Sequence, residues 1–153
     1  MIQRIQSLWL FLAAMVSGLL LLPSMVLYKW ALPALPSLSV PVPQLHTLTA
    51  ANYYPLLVLA GFMTILPLVA VFFFLNRPRQ RQIALLSMLA SIAFVVLLFI
   101  KIANINAANP GISAQEYGVL GALLPVVSIV FLLLAIRGIK KDEKLVRSVD
   151  RLR

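Results

Sequence analysis

The chain has 153 residues, 62% of them hydrophobic and only 11% charged, with a net charge of +9. Soluble domains run at about 45–50% apolar and about 25% charged residues, so a water-soluble fold of this length cannot hide its apolar surface and lipid must be the solvent. There are no cysteines, which excludes disulfides, thiolate metal sites and thiol redox relays.

The basic excess does not argue for nucleic acid. Lysines and arginines sit at the ends of apolar runs, where membrane topology alone would put them. No zinc-finger, RNA-recognition or helix-turn-helix signature accompanies them.

Met1 to Gln6 carries one positive charge, Arg4, and the uncharged apolar run Ile5 to Tyr28 follows. A bilayer span needs about 20 residues, so this run reads as a first transmembrane helix. A signal peptide competes for the same residues, but the run is too long for an h-region and no small-x-small cleavage site follows it. Ala14 and Gly18 are four apart, as are Ala13 and Ser17, and small residues at that spacing let a second helix approach closely. Pro23 kinks or ends the helix.

Lys29 and Trp30 mark a membrane interface, with the ring at headgroup level and the amine reaching water. Residues 29–54 form a loop on the outer side, rich in proline (Pro33, Pro36, Pro41, Pro43), which forbids a helix. Within it Leu38, Val40 and Val42 alternate with Ser39 and Pro41, as in a short extended strand. His46, the only histidine, reads as a solvated loop residue, because a metal site needs three or four partners.

The second span is read over residues 55–75. Pro55 suits a first helical turn, and Tyr53 and Tyr54 suit the aromatic belt. Pro67 falls mid-span, and nearby Thr64 can help satisfy the disturbed hydrogen-bond ladder. Asn76 to Gln82 is a tight basic connection with three arginines, Arg77, Arg79 and Arg81. The third span is read over 83–103, with Ala84, Ser87 and Ser91 on one close-packing face and Lys101 snorkelling at its outer end. Asn109-Pro110-Gly111 is a turn signal. Ser113 and Glu116 fit a capping box opening the fourth span, read over 116–137. Gly118 and Gly121 thin its outer half, and Pro125 should bend it.

With four spans both chain ends share one side. That side collects Arg4, Arg77, Arg79, Arg81, Arg137, Lys140, Lys141, Lys144, Arg147, Arg151 and Arg153, against Lys29 and Lys101 on the other. The positive-inside rule makes the richer side cytoplasmic. The expected fold is an all-α membrane protein: four transmembrane helices over residues 1–137 in an antiparallel up-down bundle, then a cytoplasmic amphipathic basic helix over 138–153.

In that tail Leu145, Val149 and Leu152 make a narrow apolar stripe, and Glu143 and Arg147 are an i, i+4 pair in the favourable order. Lys140, Lys141, Lys144, Arg147, Arg151 and Arg153 are the candidate residues for binding anionic inner-leaflet lipid or a protein partner. Ala14, Gly18, Ser87 and Ser91 are the candidate helix-packing positions, within one chain or a homo-oligomer.

The opening MIQRIQSLWLFLAA and the closing KKDEKLVRSVDRLR, with four apolar spans between them, resemble the small inner-membrane proteins of Bacteroidota known as domain of unknown function 4293. The resemblance covers the whole chain. It implies location and architecture, with no catalytic residues to carry over. It also implies that Gln3, Arg4, Gln6 and Lys141 to Arg153 lie together on the cytoplasmic face; from that placement the amino-terminal amides and Arg4 are expected to pack near Asp142, Glu143 or Asp150.

No ionisable residue lies near the middle of any span, where ion-coupled transporters usually keep one. General acid–base work has almost no candidates, and no cofactor or metal set is legible. The expected role is a non-catalytic accessory or scaffold subunit of an inner-membrane complex. The alternative is a small oligomeric transporter or channel, with Pro67 and Pro125 as gating kinks.

Overall fold

The computed structural model describes residues 2–32, 44–112 and 114–150, with side chains for 5–32, 45–112 and 114–145. In chain order there are α1 (Ile2–Gly18), a 3-10 turn (Leu19–Leu21), β1 (Val26–Leu32), β2 (Gln44–Thr49), α2 (Tyr54–Phe72), α3 (Arg77–Ala108), β3 (Ala114–Tyr117) and α4 (Val119–Asp150). The fold is mostly helical, but a small antiparallel sheet of order β2-β1-β3 corrects the all-α expectation.

Three helices are long and apolar enough to cross a membrane: Tyr54–Phe72, Arg77–Ala108 and Val119–Leu145. They suggest a membrane-embedded protein. The apolar part of the first helix, Ile5–Leu21, is shorter.

That shortening corrects the reading of 5–28 as one helix. Leu22 is extended at φ −71°, ψ 131°, because the residue before a proline is pushed out of the helical region. Pro23 therefore ends the helix rather than kinking it. The end of the apolar run, Val26-Leu27-Tyr28, opens β1 together with Lys29 and Trp30, and its β-branched and aromatic residues suit a strand. Much of the expected outer loop is also strand: β1 pairs with β2 from Val26 opposite Thr49 to Leu32 opposite Gln44. The strand expected at Leu38, Val40 and Val42 lies outside the described residues.

The fourth helix starts at Val119, not 116. The expected capping box is overturned, since Ala114–Tyr117 pairs with β1 and sets Glu116 opposite Lys29; Ser113 is outside the described residues. The structural reason is that β1 offers a second unsatisfied edge, and pairing it satisfies backbone groups that a helix start would leave open. The expected basic connection is likewise mostly helix. Arg77, Arg79 and Arg81 belong to the first turns of α3, with Pro78 in the opening turn, where its missing N–H costs nothing.

Each helix packs on two others: α1 on α2 and α4, and α3 on α2 and α4. Two apolar clusters fill the space between them. One lies beneath the sheet and includes Leu20, Tyr28, Leu56, Met63, Phe94 and Leu98. The other, toward the far end, includes Leu10, Ala13, Ala70, Ala84, Leu132 and Ala135. The alanines there let backbones approach closely, which is how helices gain contact when lipid removes the hydrophobic drive.

Glycine is required where β1 meets α4. A Cβ at 118 would land on the Val26 carbonyl oxygen, and one at 121 would lie 2.6 Å from it. Thr64 donates to the Ala60 carbonyl at 2.9 Å, not to the carbonyl that Pro67 frees one turn later.

Candidate functional site

The antiparallel order of α3 and α4 brings the start of α3 beside the end of α4. Arg81 Nη1 lies 2.9 Å from Glu143 Oε2 in a half-buried ion pair. Arg77 Nη1 donates to the Asp142 carbonyl at 3.3 Å. Asp142 itself is buried. Gln80 is buried on α3, and Gln6 of α1 is buried against Gly138, where an added Cβ would meet Gln6 Cγ at 2.8 Å. This is the basic end of the molecule.

The basic-tail candidates divide here. Lys140, Lys141 and Lys144 are exposed on α4, as is Arg137. Arg147 belongs to the helix, but its side chain, with Arg151 and Arg153, lies outside the described residues. The same holds for Arg4, so its expected pairing with tail acids falls outside them too. Among the described residues Glu143 pairs with α3, and Asp142 offers α3 its backbone carbonyl. Glu143 engages Arg81, a contact separated by 62 residues that helical spacing could not reveal. Its legible trace was only that two basic stretches were expected on one side. In the apolar stripe, Leu145 is exposed; Val149's side chain and Leu152 are outside the description.

The helix-packing candidates sit between the ends. Ala14, Ser87 and Ser91 are buried and Gly18 is half-buried, with Thr64 Cγ2 3.6 Å from where its Cβ would stand. Ser91 donates to the Ser87 carbonyl at 3.0 Å, and the buried Ser87 hydroxyl has no hydrogen-bond partner among the described residues. Sequence spacing missed the more telling pair. Ser17 Oγ and Ser128 Oγ are 2.8 Å apart, and Ser17 also donates to the Ala13 carbonyl at 2.8 Å. A hydroxyl pair of this kind joins α1 to α4 inside apolar surroundings, where water offers no substitute.

At the sheet end the rings of Tyr117, Tyr28, Trp30 and His46 follow one another at centroid separations of 5.4, 5.8 and 5.3 Å. His46 is thus half-buried rather than a freely solvated loop residue: from β2 it stacks on Trp30 of β1, and its Nε2 is buried. Tyr28 donates to Asn106 Oδ1 at 2.7 Å, tying β1 to the end of α3. Burial, reinforced by the neighbouring Tyr117, pushes the Tyr28 phenol above its ordinary pKa. Lys29 pairs with Glu116 at 3.2 Å in an exposed salt bridge. Lys101 lies 4.5 Å over the Tyr53 ring, a cation–π contact that holds it back from full solvation.

Among the described residues no three of His, Cys, Asp and Glu come together as a metal site would require. What the arrangement does chemically is charge separation. One end is dense in cations, the other is closed by stacked rings, and hydroxyl bonds stitch the apolar middle.

No curated protein matches the chain. The family described as "Domain of unknown function (DUF4293)" matches residues 2–152, nearly the whole length and both terminal motifs. The chain belongs to the DUF4293 family.

Proposed function

We propose that the protein is a four-pass component of a bacterial cytoplasmic membrane, with both ends in the cytoplasm, and acts as a non-catalytic accessory or scaffold subunit of a membrane complex. The first pass is α1 with its 3-10 turn. Its apolar part, Ile5–Leu21, rises about 27 Å, slightly short of the hydrocarbon thickness of about 30 Å.

The observation that carries the reading is the segregation of charge. Arg77, Arg79, Arg81, Arg137, Lys140, Lys141 and Lys144 gather at the ends of α3 and α4 that lie together, while Lys29 and Lys101 belong to the sheet end. Such a cationic end belongs on the cytoplasmic side. The hydroxyls of Ser17, Ser91 and Thr64 bond within or between helices, a use that holds helices together rather than carrying a substrate.

A reporter fused after Arg153 tests the orientation. Green fluorescent protein fused there should fluoresce, and alkaline phosphatase fused there should be inactive. Purification in a gentle detergent tests the role: a partner in fixed stoichiometry is expected, and a lone monomer in every mild extraction would count decisively against it.

A further inference from the structure

The tail sequence Lys140-Lys141-Asp142-Glu143-Lys144 alternates signs and looks half-neutralised. In three dimensions its signs are sorted. Asp142 is buried and Glu143 is bonded to Arg81, both on the side of α4 that also buries Leu132, Ala135, Ile136 and Ile139. Arg137, Lys140, Lys141 and Lys144 are exposed and, among the described residues, make no salt bridge. At about 100° per residue these four fall within an arc of about 100°.

The same arc continues up the helix as Leu123, Val126, Val130 and Leu133, all exposed. One face of α4 therefore runs apolar through the span and turns purely cationic at Arg137. Lipid that lies along the apolar part must present its headgroup to the cationic part. Arg137 to Lys141 rise only about 6 Å, within the headgroup layer of roughly 5–8 Å per leaflet. Lys144 stands about 10 Å beyond Arg137, and helical side chains tilt toward the amino terminus, here back toward the bilayer.

We infer that this face is a binding site for the phosphate-bearing headgroups of anionic phospholipid, with Arg137, Lys140, Lys141 and Lys144 as its cations. The inference rests on the membrane reading above and adds to it a lipid class and a set of residues. Arg81 draws Glu143 toward α3 and away from that face, while Asp142 is buried and its backbone carbonyl accepts from Arg77.

The test is native mass spectrometry of delipidated protein in detergent, titrated with phosphatidylglycerol or phosphatidylcholine. Wild type should bind phosphatidylglycerol more tightly. K140Q/K141Q/K144Q should weaken it about fivefold per cation, about a hundredfold in all, and leave phosphatidylcholine unchanged. K101Q, which removes a charge at the sheet end, should keep the preference, as should K140R/K141R/K144R. Circular dichroism confirms that each variant is folded. Equal affinity of wild type for the two lipids, or a preference that survives the triple glutamine change, overturns the inference and leaves the face to an acidic protein segment. A chain that stays folded and monodisperse without detergent, carrying neither lipid, would instead defeat the membrane reading.

Discussion

Arg81 reaches Glu143 across 62 residues of sequence, with Nη1 and Oε2 2.9 Å apart. The guanidinium stays partly exposed and the carboxylate is largely covered. One contact thus sets the register of α3 against α4 and turns an acid of the tail away from the lysines beside it.

Loss of this pair should be modest in energy. A partly exposed pair is worth about 0.5–1 kcal/mol after solvent screening. A double-mutant cycle of Arg81→Gln and Glu143→Gln, read by thermal unfolding in detergent, should return a coupling of that size. It should shrink as salt is added. Strict additivity of the two changes would show that the contact carries no energy.

The glycines should respond to alanine according to what faces them. Gly118→Ala drives a Cβ into the Val26 backbone oxygen, and the Gly118 amide that donates to Leu27 at 3.0 Å must move. It should cost about 3 kcal/mol. Gly138→Ala meets only the flexible Gln6 side chain and should cost no more than about 1 kcal/mol. Gly61→Ala meets nothing within 4 Å and should leave stability at or slightly above wild type, because alanine is the better helix former. Melting temperatures of the three variants give the ranking. A Gly118→Ala protein as stable as Gly61→Ala would refute the close approach of β1 to α4.

Removing either hydroxyl of the Ser17–Ser128 pair should loosen α1 from α4 by about 0.6–1.7 kcal/mol, the range found for hydrogen bonds between membrane helices. Ser17→Ala and Ser128→Ala together should cost less than the sum of the two single changes, since each single already removes the shared bond, while the bonds to the Ala13 carbonyl are lost separately. Steric trapping or detergent unfolding reads this directly. Independent, additive losses would mean the two hydroxyls do not act on one another.

Tyr28 links stability to alkaline pH. Its folded pKa lies above the ordinary 10.0, so the folded chain keeps a proton that the unfolded chain releases. The Tyr28 contribution is therefore whole below about pH 10 and is lost as the pH rises through the raised folded value. Tyrosinate absorbance should show a phenol titrating above the ordinary 10.0, and Tyr28→Phe should abolish that late step. The same variant gives up the bond to Asn106 at a cost of about 1 kcal/mol. A late step that persists in Tyr28→Phe would assign it to another tyrosine.

Composition and charge position already separated an apolar middle from a cation-rich end, because solvation acts on each residue by its own polarity and needs no partner. Hydropathy located the helices on the same ground, and a run of apolar residues without charge is visible wherever it folds. The small sheet and the end of α1 were hidden in that signal: Ile5 to Tyr28 is uncharged and mostly apolar, so hydropathy could not tell helix from the strand that follows Pro23. Lys29 with Glu116, Ser17 with Ser128 and Arg81 with Glu143 were decided only by tertiary structure. Each joins residues far apart in the chain, and which donor meets which acceptor depends on how neighbouring elements align rather than on local spacing. The sorting of the tail has the same origin. Sequence places lysines and acids side by side, and only a helix docked against α3 decides which sign is left exposed.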